Sequence, residues 1–394
     1  MSQNGRIAFL LGSGVSLGSG APTVGSLTES ILEGNWKEHT DQHFYPGDEL
    51  DVSGGRALTI QRFLNVLEAE IAGHLRDREA RKPNYEDFYT ALTTLFEDEA
   101  GDLVNPMIRM NSDSLRRASA HLWDTFPYHV DRNRFASLMD RSLTFIQDVI
   151  RVRLQEVDSP QGFSLLSEIG RTWNEVDIYS LNHDLLIEEH FKETGTQSLI
   201  DGFSRPEGNV MIFEDWNGPG KFRLFKLHGS VDWYHFEFKR LGFVQYAKVS
   251  SHPDGAVDND DKSLDLAQIG ASFLSGVTVK ERSYDKGIFD PLFREFRSRL
   301  ASTNLLVASG YGWCDDGINF KVNQWLHDAR ENHLVILDEN RGQSIARTKF
   351  WSAFVNLKKP RLQTYEEAGR VTVIPKWLSD TTVEDILEVT RRVA

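Results

Sequence analysis

A single cysteine, Cys314, stands in 394 residues, so no internal disulfide can close and no four-thiolate zinc module can assemble. No apolar run approaches the roughly 20 residues of a membrane span, and the N-terminal apolar stretch stops at Leu11, short of a signal-peptide core. A cytoplasmic protein without membrane contact is expected. Basic residues are few: 44 Lys and Arg face 58 Asp and Glu, for a formal net charge of -14. That balance argues against a broad surface for phosphate backbones, so no direct nucleic-acid binding is expected. What remains, 40% apolar and 11% aromatic, suffices for a large core in one α/β domain with an elaboration, or in two domains.

The chain opens on an apolar run, Arg6-Ile7-Ala8-Phe9-Leu10-Leu11, which empties into Gly12-Ser13-Gly14-Val15-Ser16-Leu17-Gly18-Ser19-Gly20. A buried strand ending in glycines lets the backbone approach a pyrophosphate, with the next helix aiming its free N–H groups at the charge. The spacing is Gly-x-Gly-x-x-x-Gly, one residue longer than the hydride-enzyme fingerprint, and a plain connection reads equally well. Helical periodicity begins at Ser26-Leu27-Thr28-Glu29 and dominates residues 57 to 156, with stripes at Phe63, Leu64, Leu67, Ile71 and Leu75 and at Phe135, Leu138, Met139, Leu143, Ile146 and Ile150. These stripes offer more apolar surface than one thin layer needs, which points to a homo-oligomer.

From Val176 onward short apolar runs alternate with helical stretches: 177–181, 222–227, 305–308, 334–337 and 371–374. The pattern predicts a Rossmann-like α/β fold, a parallel sheet with helices on both faces. One domain over 1–394 is expected, with 36–160 as a mainly helical insertion, 240–285 as a variable loop region and 377–393 as a closing helix. The acidic, Pro- and Gly-bearing segment 250–265 reads as a mobile surface loop. Trp233 to Phe238 alternates as a half-buried strand should; a base-stacking platform is the sharper reading of its rings, and core packing the one preferred.

Ligands of open α/β sheets bind beyond the carboxyl ends of strands. Three such ends carry polar clusters: Ser180-Leu181-Asn182-His183-Asp184, Lys226-Leu227-His228-Gly229-Ser230-Val231-Asp232-Trp233, and Ser309 through Tyr311, Asp315 and Asp316 to Asn319. With the glycine loop they make four segments for one crevice. His183 reads as a helix-start residue, and Asp316 and Asn319 as ribose contacts or an N-cap.

Together these segments resemble the bacterial sirtuin-like NAD-hydrolysing proteins of antiviral defence. The resemblance rests on the Gly-Ser-Gly-x-Ser loop with Gly20-Ala21-Pro22-Thr23, Asn182-x-Asp184, Lys226-Leu227-His228-Gly229-Ser230-x-Asp232-Trp233, and Gly310-Tyr311 with Asp316 and Asn319; Asn84-Tyr85-Glu86-Asp87-Phe88 also resembles an element of that branch. It implies NAD+ as substrate rather than as a retained cofactor, with no metal and no zinc ribbon. It implies catalytic roles for Asn182 and His228, and NAD+ contacts for Gly12, Ser13, Gly14, Ser16, Pro22, Thr23, Asp184, Gly310, Tyr311, Asp316 and Asn319. Asn182 would hold the ribose or position water, and a neutral His228 would accept a proton.

The deacylase sirtuins have Gln-Asn-x-Asp where this chain has Leu181-Asn182-His183-Asp184, and Pro-Asp-Phe-Arg where it has Pro22-Thr23-Val24-Gly25. The reading is therefore NAD+ hydrolysis to ADP-ribose and nicotinamide, as an abortive-infection effector. The resemblance also implies a separate regulatory partner, a HerA-like hexameric ATPase before a short Argonaute-type module. A non-catalytic NAD or ADP-ribose sensor is the alternative. A deacylase lacks its zinc ribbon here, and a dehydrogenase lacks its glycine spacing.

Overall fold

The computed structural model describes residues 3–39, 42–47, 55–75, 81–101, 106–124, 126, 133–195, 199–249, 252–267, 270–276, 279–343, 345–355 and 359–393. The opening run is strand β1 (Gln3–Leu11), central in a parallel sheet of seven. Across the sheet the order is Val371–Ile374, His333–Leu337, Leu305–Ser309, β1, Trp173–Ser180, Phe222–Lys226 and Leu199–Ile200. Every adjacent pair is parallel. β1 is apolar on both faces because both are covered. Ala8 and Leu10 pack with Phe296 and Val322 on one side, while Ile7, Phe9 and Leu11 pack with Leu186, Ile386 and Val389 on the other.

The helical region contains α1 (Val24–Glu33), α2 (Arg56–Leu75), α3 (Tyr85–Ala100), α4 (Pro106–Ala118), α5 (Ala120–Trp123) and α6 (Arg134–Gln155). Thr23 caps α1, and Asn84 with Asp87 forms a capping box on α3. The two stripes read from the sequence meet inside the chain: Phe63, Leu64 and Leu67 share one core with Phe135, Leu138, Met139, Ile146 and Ile150. Their apolar surface is thus consumed within one chain, which removes the periodicity argument for an oligomer. Phe145 lies at the centre, fully buried and edge-on to Phe44 at 5.0 Å and Trp36 at 6.3 Å. Phe145→Ala is expected to lower unfolding free energy by ~3–5 kcal/mol, read from the urea midpoint.

A second sheet, absent from the sequence reading, packs on this helical core. It is antiparallel, in the order Asp265–Leu266, Trp233–Phe238, Phe243–Val249, Val210–Phe213 and Phe203–Glu207. Tyr234, Phe236 and Phe238 point into the helical core, while His235 is partly exposed and Glu237 exposed. These rings are core, and they offer no stacking platform. Residues 240–285 thus contribute two strands of this sheet, Phe243–Val249 and Asp265–Leu266. The acidic loop is also more ordered than expected, because Asp258 Oδ1 accepts the N–H groups of Asp260 at 2.9 Å and Lys262 at 3.0 Å. Ser250 and Ser251 lie outside the described residues. The closing helix starts only at Val383, after a short turn at Leu378–Asp380. No helix among the described residues is long and apolar enough to cross a membrane.

Candidate active site

From β1 the chain builds the sheet in one direction through Trp173–Ser180 and Phe222–Lys226, then returns to build in the other from Leu305–Ser309. The switch point lies between β1 and Leu305–Ser309, and the strand ends there are where open α/β sheets place their ligands. All four polar segments follow neighbouring strands at that edge.

The glycine loop is a tight turn of 3₁₀ helix, Ser13–Ser19, closed by Gly20 at φ 82°. Its first glycines face the opposite lip of the switch point. A Cβ on Gly12 would lie 2.5 Å from Gly310 O, one on Gly14 2.7 Å from Gly310 Cα, and one on Gly310 2.4 Å from Val15 N. Gly14 N–H donates to Gly310 O at 3.0 Å. The glycines at 12, 14 and 310 are therefore required by backbone meeting backbone. Ser13 and Thr23 are exposed and Pro22 partly so, which sets these three on the outer rim.

Asn182 and Ser16 join two of the loops. Asn182 Nδ2 donates to Gly12 O at 3.2 Å and to Ser16 Oγ at 3.0 Å. Ser16 Oγ donates in turn to Asp184 Oδ2 at 2.8 Å, and Asp184 Oδ1 accepts the Leu186 N–H at 3.2 Å. Asn182 Oδ1 is buried with no hydrogen-bond partner among the described residues. Asp184 thus braces the turn into the Leu186–Glu193 helix. His183 lies ahead of that helix rather than starting it. Its ring packs against Phe273 at 4.8 Å, and burial pushes its pKa well below the usual imidazole value.

His228 is only 4% exposed, with Nε2 3.0 Å from Asp315 Oδ2. The same carboxylate oxygen accepts the Tyr284 hydroxyl at 2.7 Å, and Asp315 Oδ1 accepts the Ile318 N–H at 3.0 Å as N-cap of the Asp316–Asp328 helix. Burial alone would raise Asp315, but His228, the Ile318 amide and Tyr284 together hold its carboxyl well below the ordinary range. Burial pushes His228 below 6.5, partly offset by Asp315. A pKa below 6.5 favours the neutral imidazole near pH 7, and Nε2, though 3.0 Å from Asp315 Oδ2, makes no well-directed hydrogen bond among the described residues.

Asp315 corrects the sequence expectation for this segment. Asp316 is not the cap; it is exposed, one residue inside the helix. Asn319 is 1% exposed, donating to Trp313 O at 3.0 Å and accepting the Tyr311 hydroxyl at 2.8 Å. It braces a loop in which Trp313 adopts φ 56° and lies parallel to Phe350. Lys226 was quoted only as part of a motif. Its buried ammonium donates to Asp184 O and lies 3.3 Å from Glu188, tying the His228 strand to the Asn182 loop.

A cavity of about 510 Å³ opens beside the glycine turn, walled by Gly14, Val15, Leu17, Gly18, Gln161 and Trp377–Ser379. Trp377 Nε1 donates to Glu339 at 2.6 Å across that edge. Among the described residues no three His, Cys, Asp or Glu side chains form a metal cluster.

No curated protein matches the chain. Among solved structures it is similar to a Sir2 homologue in complex with NAD, at 9% identity and TM-score 0.37, covering 100% of this chain and 92% of that one. A second, described for the mechanism and regulation of Sir2 enzymes, shows 10% identity and TM-score 0.32, covering 99% and 94%. Residues 176–355, which include Asn182, Asp184, His228 and Asp315, match the family described as a SIR2-like domain.

Proposed function

We propose that this protein hydrolyses NAD+ to ADP-ribose and nicotinamide. The observation that carries the reading is Asn182: its amide N–H groups are engaged by Gly12 O and Ser16 Oγ, while its buried carbonyl oxygen has no partner among the described residues. Such an orphan acceptor at a switch point is suited to a ribose hydroxyl or an attacking water. The SIR2-like match over 176–355 supports the same assignment.

Cleavage breaks the bond between ribose C1′ and the pyridinium nitrogen. The bonding pair leaves with neutral nicotinamide, and positive charge develops on the ribosyl carbon. Water adds there, and its proton passes to neutral His228, giving ADP-ribose, nicotinamide and one released proton. Asp184 holds the loop that presents Asn182, and the Asp315 carboxylate, 3.0 Å from Nε2, stabilises the imidazolium that forms. The glycine turn and its neighbouring cavity are assigned to the adenosine diphosphate half, with Ser13, Pro22 and Thr23 at its rim and Tyr311, Asp316 and Asn319 across from it. The defence role and a HerA-like ATPase partner belong to this reading on the strength of the motif resemblance alone; the cytoplasmic setting and a homo-oligomer are carried with it as further proposals, the latter without support from the helical stripes, which are buried within the chain.

Incubation with NAD+ and chromatography of the products tests the activity; intact NAD+ returned from a tight complex would instead mark a sensor. With His228 below 6.5, turnover should hold its plateau to below that pH and fall as the imidazole protonates. Asp315→Asn removes the group that raises His228, so the acid limb should move to lower pH while turnover drops ~100-fold. An acid limb that stays in place would remove His228 from the role of base.

A further inference from the structure

We propose that the cleft between α3 and residues 273–275 and 280–286 is a binding site for a small tetrahedral oxyanion, either free phosphate or the terminal phosphate group of a nucleotide. The cleft measures about 90 Å³ and lies outside the site described above. Its walls gather Lys280, Arg282 and Lys286 against one acid, Glu97. Such a cationic excess contrasts with a chain of net charge -14. Lys280 donates to Glu86 at 2.8 Å and Arg282 pairs with Glu97, whereas Lys286 has no acidic partner among the described residues.

Two hydroxyls point to a missing ligand. Ser275 is 3% exposed, and its Oγ has no hydrogen-bond partner among the described residues; Thr93, on α3, is only half-buried, but its Oγ1 is shielded from solvent and equally without a partner among them. Both residues line the cleft. A buried hydroxyl left without a partner is destabilising, and an oxyanion accepting from both would remove that cost. Hydroxyl and ammonium donors around a compact volume favour an anion with several acceptor oxygens and no apolar body.

The wall of this cleft is also the cover of the candidate active site. Leu274 N–H donates to His228 O at 2.7 Å, Phe273 packs on His183, and Tyr284 donates to Asp315. An anion held between Thr93 and Ser275 would fasten that cover to α3. Anion binding itself does not rest on the NAD+ reading.

Calorimetric titration of the full chain with inorganic phosphate, and separately with AMP, tests the site. Saturable binding of phosphate is expected, weakened at least tenfold in Lys286→Glu and in Ser275→Ala. Binding of AMP alone would assign the anion to a nucleotide. Hydrogen exchange of residues 272–276 should slow in phosphate for the wild type and not for Lys286→Glu. No saturable binding of either probe, or equal affinity in both variants, overturns the proposal whether or not NAD+ is hydrolysed. If phosphate binds while NAD+ survives, the site stands and the hydrolase reading fails.

Discussion

Asn182→Ala is expected to lower NAD+ turnover at least ~100-fold, the usual consequence of removing one oriented polar group at developing charge. The loss should fall on kcat more than on KM, because the amide acts where charge appears on the ribosyl carbon and not where the rest of NAD+ is held. The variant also gives up hydrogen bonds to Gly12 O and Ser16 Oγ, so its melting temperature must be followed alongside. A fold intact by circular dichroism with turnover abolished supports the assignment. His228→Ala should lose ~10²–10⁴-fold, the span of general-base contributions. Undiminished nicotinamide release from both folded variants would move the chemistry elsewhere in the molecule.

The second large effect is on stability. Gly310 sits at φ 62°, and a methyl group there would meet Val15 N at 2.4 Å. A left-handed backbone conformation costs an L-residue ~1–2 kcal/mol and forced overpacking ~1–3 more. Gly310→Ala should therefore destabilise by about 3 kcal/mol. Gly18 supplies the control, since no atom lies within 4 Å of a Cβ placed on it, and Gly18→Ala should stay within ~0.5 kcal/mol. Comparison of urea midpoints decides whether the glycines of this motif are needed for chain contact, as argued here. Equal stability of the two variants would sink that argument.

The parallel strands were legible because each is a continuous apolar run, the signature of a strand buried on both faces. Leu199–Ile200 escaped notice at two residues on the sheet edge. The antiparallel sheet was missed for a different reason. Phe203–Glu207 carries Arg205 and Pro206, and what makes it a strand is its pairing with Val210–Phe213, a tertiary choice that overrides local preference. At the site, Asn182 and His228 could be singled out because polar residues directly after apolar runs mark strand ends. Asp315 stood beside Asp316, and the residues themselves offered one clue, the apolar Ile318 three positions on, which is where an N-cap carboxylate finds its amide. Tyr284 gave no signal, since its approach to Asp315 is made only by the folded chain.

The central position of β1 also dictates when the four polar segments can come together. Its two neighbours in the sheet are Trp173–Ser180 and Leu305–Ser309, so the first strand synthesised has no partner on one edge until the latter emerges. Contacts this distant in sequence close late and at high entropic cost. The lip formed by Gly310, and Asp315 behind His228, belong to that same late segment. A chain interrupted before residue 309 carries Asn182 and His228 but lacks both the Gly310 lip and the Asp315 carboxylate, so under the proposed function premature termination yields an inert fragment.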